Sequence, residues 1–125
     1  MEESVIVSAA RTPIGKFGGA LKDLSAVELG AIALKETVKR SRISGENIDL
    51  VIMGQVLQGG CGQAPARQAV FKSGLPKEVP AETLNKVCAS SFRAVTLADQ
   101  IIRAADPKLW FAGREPGMGT IASTD

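Results

Sequence analysis

The feature that most constrains the fold of this chain is the alternation of short, β-branched apolar runs with longer helical segments. Four runs have the length and composition of strands, and a helical segment follows each of the first three. The predicted strands are Val5–Ala9, Asp49–Gly54, Val79–Val87 and Leu109–Ala112, and the predicted helices are Ser25–Arg40, Ala64–Ser73 and Ser90–Ala105. This βαβαβαβ order predicts one α/β domain with a mostly parallel sheet and right-handed crossovers.

Two of these elements carry further information. Ser25 and Glu28 match a capping box, which predicts where the first helix begins. The third helix, Ser90–Ala105, is apolar on most of its sides. Such a helix is expected to be buried on two faces. The first strand, Val5–Ala9, is predicted to be buried because all but one of its residues are apolar.

Composition excludes several classes of function. The net charge of +2 is too small to predict a nucleic-acid partner or a membrane surface, and no apolar stretch of about 18 residues predicts a membrane span. The acidic start at Glu2 and Glu3 is unlike a secretory signal. Cys61 and Cys88 are the only cysteines, and their number favours a reducing, cytoplasmic location. No metal site is predicted, since the chain has no histidine and no Cys-x-x-Cys motif.

Cys88 is the candidate nucleophile. It lies where the third extended run ends and the third helix begins. A thiol there is exposed by the turn and lies at the positive end of a helix dipole, which favours the reactive thiolate. The alternative is an inert core cysteine, because cysteine is among the residue types most often buried.

Two other motifs have functional and structural interpretations. Gly59, Gly60 and Gly62 could cradle a phosphate, but they match neither the GxGxxG nor the P-loop spacing, so a tight connection is favoured. Three arginines could bind a phosphate or simply pair with carboxylates. They are Arg11, Arg67 and Arg93.

Three segments resemble the thiolases, which make or cleave 3-ketoacyl-CoA esters. They are Arg11–Gly19, Gly54–Ala69 and Asn85–Ser90, and they occur in the family's order within residues 4 to 113. The match looks most like the acetyl-CoA acetyltransferase branch. The resemblance implies a three-layer half-domain at 1–113, followed by a divergent tail at 114–125. By the same comparison, the chain is expected to end where the fifth strand of that half would begin.

The resemblance also implies a chemistry. Cys88 would accept an acyl group from acyl-CoA, which is a substrate and not a resident cofactor, during a Claisen condensation or its reversal by thiolysis. In the family, a histidine, a second cysteine and an Asn-bound water come from the second half, and this chain contains no histidine at all. Cys61 does not match the second cysteine, because its loop context differs.

We therefore expect a chain that is inactive alone and leaves one side of the third helix uncovered. Bare apolar residues there predict a homo-oligomer or a complementing chain. The alternative function is a non-catalytic half-thiolase that serves as an interaction or oligomerisation module. A ketoacyl-synthase-like condensing enzyme is a third interpretation, and it too would need the missing histidines.

Overall fold

The backbone alternates strands and helices as the sequence predicts. The computed structural model describes residues 3–104, 109–114 and 118–123. The five strands are β1 Val5–Arg11, β2 Leu50–Gly54, β3 Ala81–Leu84, β4 Leu109–Arg114 and β5 Met118–Ser123. The three helices are α1 Ala26–Ser41, α2 Pro65–Ser73 and α3 Ser90–Arg103. Ala105, where the sequence predicts α3 to end, and residues 115–117 of the tail lie outside these ranges.

The strands form one sheet in the order β1-β5-β4-β2-β3. β2 pairs in parallel with both β3 and β4, while β5 runs antiparallel to its neighbours β1 and β4. Four of the five strands therefore point the same way, which confirms the mostly parallel sheet. Their carboxyl ends meet at one edge, and this edge carries the loops that lead into the helices.

The expectation that the chain stops before a fifth strand is wrong, because β5 pairs on both sides. The sequence of β5 holds a glycine and few β-branched residues, so its local pattern is typical of a loop. Its extended state comes from an antiparallel ladder to β4, which lies only three residues before it, and from a second ladder to β1, which is more than a hundred residues away in sequence. That residues 114–125 diverge from the family stays a prediction.

Helices cover both faces of the sheet and make three layers. Alternate residues of β2 point to opposite faces, as strand geometry requires. Val51 and Met53 lie in one apolar cluster with residues of α1 and α2. Ile52 lies in a second cluster with Ala94, Ala98 and Ile102 of α3.

The predicted capping box at the start of α1 is confirmed. The N–H of Glu28 donates to Ser25 Oγ at 3.2 Å, and the N–H of Ser25 donates to Glu28 Oε2 at 2.8 Å. The helix ends at Ser41 and is capped by Arg42, whose φ of 60° is left-handed. Two otherwise unpaired donors at the helix start are thus satisfied within four residues.

The prediction that the first strand is buried is wrong. Val5, Ile6 and Val7 are 43%, 64% and 39% exposed, because β1 lies at the edge of the sheet. Its main polar tie to the helices is the hydroxyl of Ser8, which donates to the carbonyl of Thr37 at 2.8 Å.

Helix α3 is buried on one face only. Ala94, Ala98 and Ile102 are fully buried against the sheet, whereas Phe92 is 73% exposed. This confirms the expected uncovered side and corrects the expectation of burial on two faces. Within the part of the chain that the structure describes, no helix combines the length and hydropathy of a membrane span.

Candidate functional site

Cys88 lies on the exposed turn that joins β3 to α3. β3 ends at Leu84 and α3 begins at Ser90, so five residues form the connection. The thiol of Cys88 is free and its residue is exposed. The structure thus places this residue as the sequence predicts, and the alternative of a buried core cysteine is wrong.

The turn is closed by its own side chains. The N–H of Val87 donates to Asn85 Oδ1 at 2.9 Å, and the N–H of Lys86 donates to Ser90 Oγ at 2.9 Å. Ser90 Oγ in turn donates to the carbonyl of Val87 at 2.6 Å. These three bonds restrain the backbone on both sides of Cys88.

Val87 adopts a strained conformation next to Cys88. Its φ is +48°, a left-handed value that a β-branched residue rarely takes. The cost is of order 1–3 kcal/mol and is sustained by the surrounding bonds. Sequence reasoning missed this feature, because nothing in the local pattern marks a valine for a positive φ.

The sheet brings α3 close to the end of β2. A Cβ added at Gly54 would lie 2.5 Å from the carbonyl carbon of Ser90 and 2.7 Å from its oxygen. Only glycine allows the two backbones to approach this closely. The glycine at the end of β2 therefore sets how near the start of α3, and with it Cys88, lies to the sheet.

The start of α3 presents positive charge beside Cys88. Its cap residue Ala89 makes no side-chain capping bond, and no acidic residue lies in the first turn. The partial positive charge of the helix N-terminus is therefore not offset by a side chain of the helix itself. Developing negative charge near this end of the helix is favoured.

A second loop contacts the Cys88 turn. Asn85 Nδ2 donates to the carbonyl of Val56 at 3.2 Å, so the loop after β2 lies against the turn after β3. Cys61 belongs to this second loop, and Gln55 Nε2 approaches its sulfur at 3.3 Å. Gln55 is 4% exposed, and its Oε1 has no hydrogen-bond partner.

The glycine-rich loop is a tight connection, as favoured from its spacing. Gly60 and Gly62 have φ values of +77° and +78°. Gln68 Nε2 donates to the carbonyls of Cys61 and Gln63 at 2.7 and 2.8 Å. Gln68 thus stabilises the loop through hydrogen bonds to its carbonyl groups. The positive φ values of the turn account for the glycines without a phosphate-binding role.

The three arginines have different environments. Arg67 donates from Nη1 to the carbonyl of Val79 at 2.5 Å and from Nη2 to that of Lys77, and it stacks 4.4 Å from the ring centroid of Phe71. These contacts give Arg67 a structural role. Arg93 donates to Gln100 Oε1 at 2.9 Å. Arg11 ends β1, far along the sheet edge from Cys88.

The thiol of Cys88 has no hydrogen-bond partner among the described side chains. Within residues 3–104, no side chain makes a hydrogen bond to Cys88 Sγ, and the sequence has no histidine. The described residues also hold no cluster of three or more metal-ligating side chains. In the described residues the site is therefore a positioned, exposed thiol at a helix N-terminus to which no side chain is hydrogen-bonded.

The comparisons with known proteins agree with this geometry. The model of the family "Thiolase, N-terminal domain" matches residues 4–121. An acetyl-CoA acetyltransferase of Syntrophomonas wolfei is 53% identical over 116 residues, and one of Cupriavidus necator is 52% identical over 118 residues. These stretches cover 93% and 94% of this chain but 29% and 30% of the relatives.

A solved structure shows the same relation in three dimensions. The Acat5 thiolase of Ascaris suum, crystallised in complex with coenzyme A, superposes with a TM-score of 0.87 at 40% identity. The match covers 90% of this chain and 30% of that one. The chain thus spans less than a third of the length of these proteins. It belongs to the thiolase family and corresponds to the N-terminal domain of its members.

Proposed function

We propose that this chain carries the acyl-accepting part of a thiolase-type active site, with Cys88 as the nucleophile. The observation that carries the proposal is the exposed thiol on a strained turn at the start of α3, in a chain of this family. The substrate class is acyl-CoA, and acetyl-CoA is favoured because the relatives are acetyl-CoA acetyltransferases. A reducing cytoplasm suits this chemistry, since the thiol must stay reduced.

The first half-reaction transfers an acyl group between two sulfur atoms. The thiolate of Cys88 attacks the thioester carbonyl, an S–C bond forms, and the bond from carbon to the CoA sulfur breaks, with the CoA thiolate leaving. Acyl-cysteine and CoA are the products. The positive end of α3 favours the negative charge that develops on the carbonyl oxygen during this step.

The second half-reaction needs groups that this chain does not contain. Condensation requires a base to remove the α-proton of a second acetyl-CoA, and no histidine is present. A positioned acid–base group contributes about 10²–10⁴ in rate. Loss of one oxyanion donor costs about 10²–10³ more. The chain alone is therefore proposed to acylate slowly and not to turn over.

A second candidate function is a non-catalytic interaction module. Three exposed apolar residues lie on the Cys88 turn or on the segments next to it, namely Leu57 at 84%, Val87 at 64% and Phe92 at 73% exposure. Exposed apolar residues that cluster in this way mark contact surfaces. A complementing chain or another copy of this chain would cover them, and a complementing chain would also supply the missing base.

Intact-mass measurement with acetyl-CoA tests the proposal. Wild type and Cys61→Ser are expected to gain one acetyl group, and Cys88→Ser to gain none. Cys61→Ser is the matched control, since it removes the other thiol. Acetylation that survives Cys88→Ser would contradict the assignment. Thiolysis of acetoacetyl-CoA by the purified chain, abolished in Cys88→Ser, would contradict the half-site proposal.

Sedimentation velocity separates the two candidates. An interaction module is expected to self-associate, and Phe92→Ser to weaken that association without changing acetylation. A monomer that acetylates at Cys88 supports the catalytic proposal alone. A self-associating chain that does not acetylate supports the module instead.

A further inference from the structure

The segment that follows β1 lines a cavity of about 730 Å³ that is open to solvent on one side. This volume lies within the roughly 300–1,000 Å³ of small-molecule sites. The segment Arg11–Lys22 forms most of the wall, and Leu29 of α1, which is 8% exposed, adds a buried apolar surface. The buried Leu29 side chain therefore forms the floor of the cavity, and the exposed loop forms its rim.

The loop around the cavity is shaped by successive tight turns. The N–H of Gly19 donates to the carbonyl of Lys16 at 2.9 Å, and the N–H of Lys22 donates to that of Gly19 at 3.1 Å. Gly18 has a φ of +67°, and a Cβ at Gly19 would lie 2.9 Å from the oxygen of Lys16. The two glycines thus allow the tight turns by which the loop folds back on itself.

The rim of the cavity carries exposed apolar side chains. Ile14 is 84% exposed and the side chain of Phe17 is fully exposed. Both residues line the cavity, together with Pro13 and Leu21. Covering these side chains with an apolar ligand would remove a large apolar area from water, which is favourable.

The charged residues of the lining are all cations. Arg11, Lys16 and Lys22 line the cavity, and no Asp or Glu does. In the described ranges, the ion pairs lie within α1 and α3 and use none of these three side chains. The lining therefore favours a ligand that carries negative charge as well as an apolar body.

We propose that this cavity binds an amphipathic organic anion, an alkyl carboxylate being the simplest member of the class. The alkyl chain lies against Ile14, Phe17 and Leu29, and the carboxylate faces the cations. Small-molecule sites are usually lined by apolar side chains, with a few polar or charged groups that fix the orientation of the ligand.

The cavity lies apart from Cys88. One row of paired residues crosses the sheet from Arg11 through Met118, Arg114 and Gly54 to Leu84. Four strand spacings separate the ends of this row, roughly 19 Å. Arg11 borders the cavity and Leu84 precedes the Cys88 turn, so the proposal does not rest on the proposed acyl transfer.

Calorimetric titration of the full 125-residue chain with dodecanoate, below its micellar concentration, tests the proposal. Saturable binding with one site per chain is expected. Butanoate lacks the long apolar chain, and dodecyltrimethylammonium carries a positive charge in place of the negative one. Each should bind at least tenfold more weakly than dodecanoate. Equal binding of dodecanoate and the cationic surfactant would overturn the proposal, as would no binding.

Variants locate the site. Lys16→Gln with Lys22→Gln removes two exposed cations and should weaken dodecanoate binding about fivefold, given the modest value of each exposed charge. The matched pair Lys39→Gln with Lys77→Gln removes two exposed cations elsewhere and should change nothing. An equal loss of dodecanoate affinity in the two double variants would overturn the assignment of the site to this cavity.

A second copy of the chain is the competing occupant, and Ile14→Ser distinguishes it. The proposal expects Ile14→Ser to weaken dodecanoate binding in a chain whose sedimentation is independent of concentration. A wild-type dimer that Ile14→Ser dissociates, and that dodecanoate leaves intact, would overturn the proposal in favour of self-association.

Discussion

Gly54→Ala should disturb the packing of the Cys88 turn more than its single methyl group suggests. The new Cβ would lie 2.5 Å from the carbonyl carbon of Ser90, 2.7 Å from its Cβ and 2.7 Å from its oxygen. Ordinary contacts are about 3.5–4 Å, so one of the two backbones must move by about 1 Å. Neither can yield by a side-chain rotation, because β2 is paired on both sides within the sheet and Ser90 begins α3.

The structure gives the scale of the cost. Overpacking of a well-packed site costs typically about 1–3 kcal/mol. Movement of Ser90 also strains its two hydroxyl bonds, to Lys86 and Val87, and a hydrogen bond contributes about 1 kcal/mol. We therefore expect Gly54→Ala to lower the free energy of unfolding by about 3 kcal/mol, the upper end of the range for overpacking. At a urea slope of about 1.5 kcal/mol/M, the unfolding midpoint would fall by about 2 M.

Urea unfolding followed by circular dichroism measures this effect, and Gly59→Ala is the matched control. Gly59 lies five residues further on, and a Cβ there would have no heavy atom within 4 Å. Its substitution should change the free energy by less than about 0.5 kcal/mol. Alkylation of Cys88 by iodoacetamide, compared with Cys61 in the same chain, should change in Gly54→Ala and not in Gly59→Ala. Equal stability of the two variants would refute the packing argument.

Three further substitutions test other parts of the fold. Ser25→Ala removes the cap of α1 and should cost about 1 kcal/mol in a urea titration, while Ser25→Asp should retain most of it. The hydrogen bonds from Ser25 hold the pKa of Glu28 below its ordinary value, so the part of this stabilisation that depends on ionised Glu28 should fade as pH falls below the ordinary value of 4.5. Arg67→Met loses two carbonyl partners and should cost about 2 kcal/mol in thermal unfolding without changing acylation, whereas a role in CoA binding would instead weaken acylation. The pKa of Asp99 is lowered, chiefly by the hydrogen bond that it accepts from Ser4. Wild type should therefore be more stable than Asp99→Asn near pH 7. The difference in stability should shrink as pH falls below the ordinary value of 3.8. A difference that is constant from pH 7 to pH 2 would contradict this.

Much of the site could be predicted from local sequence. The position of Cys88 between an extended run and a helix follows from the apolar pattern, and exposure of the thiol follows from that position. The structural role of Arg67 could not be predicted, because its carbonyl partners at Lys77 and Val79 lie ten and twelve residues away along an irregular segment. The left-handed Val87 was equally hidden, since its strain is sustained by the side chains of Asn85 and Ser90 and not by its own propensity.

The sequence by itself determined the class of fold, the start of α1 and the thiol at the start of α3. These features depend on periodicity, capping and residue type within a few neighbours, and such interactions act before distant parts of the chain meet. Only the tertiary structure decided that β1 is an exposed edge strand and that β5 lies between β1 and β4. The pairing of β5 with β1 joins backbone segments more than a hundred residues apart, and the sequence of β5, with its glycine and few β-branched residues, carries no local signal of that partner.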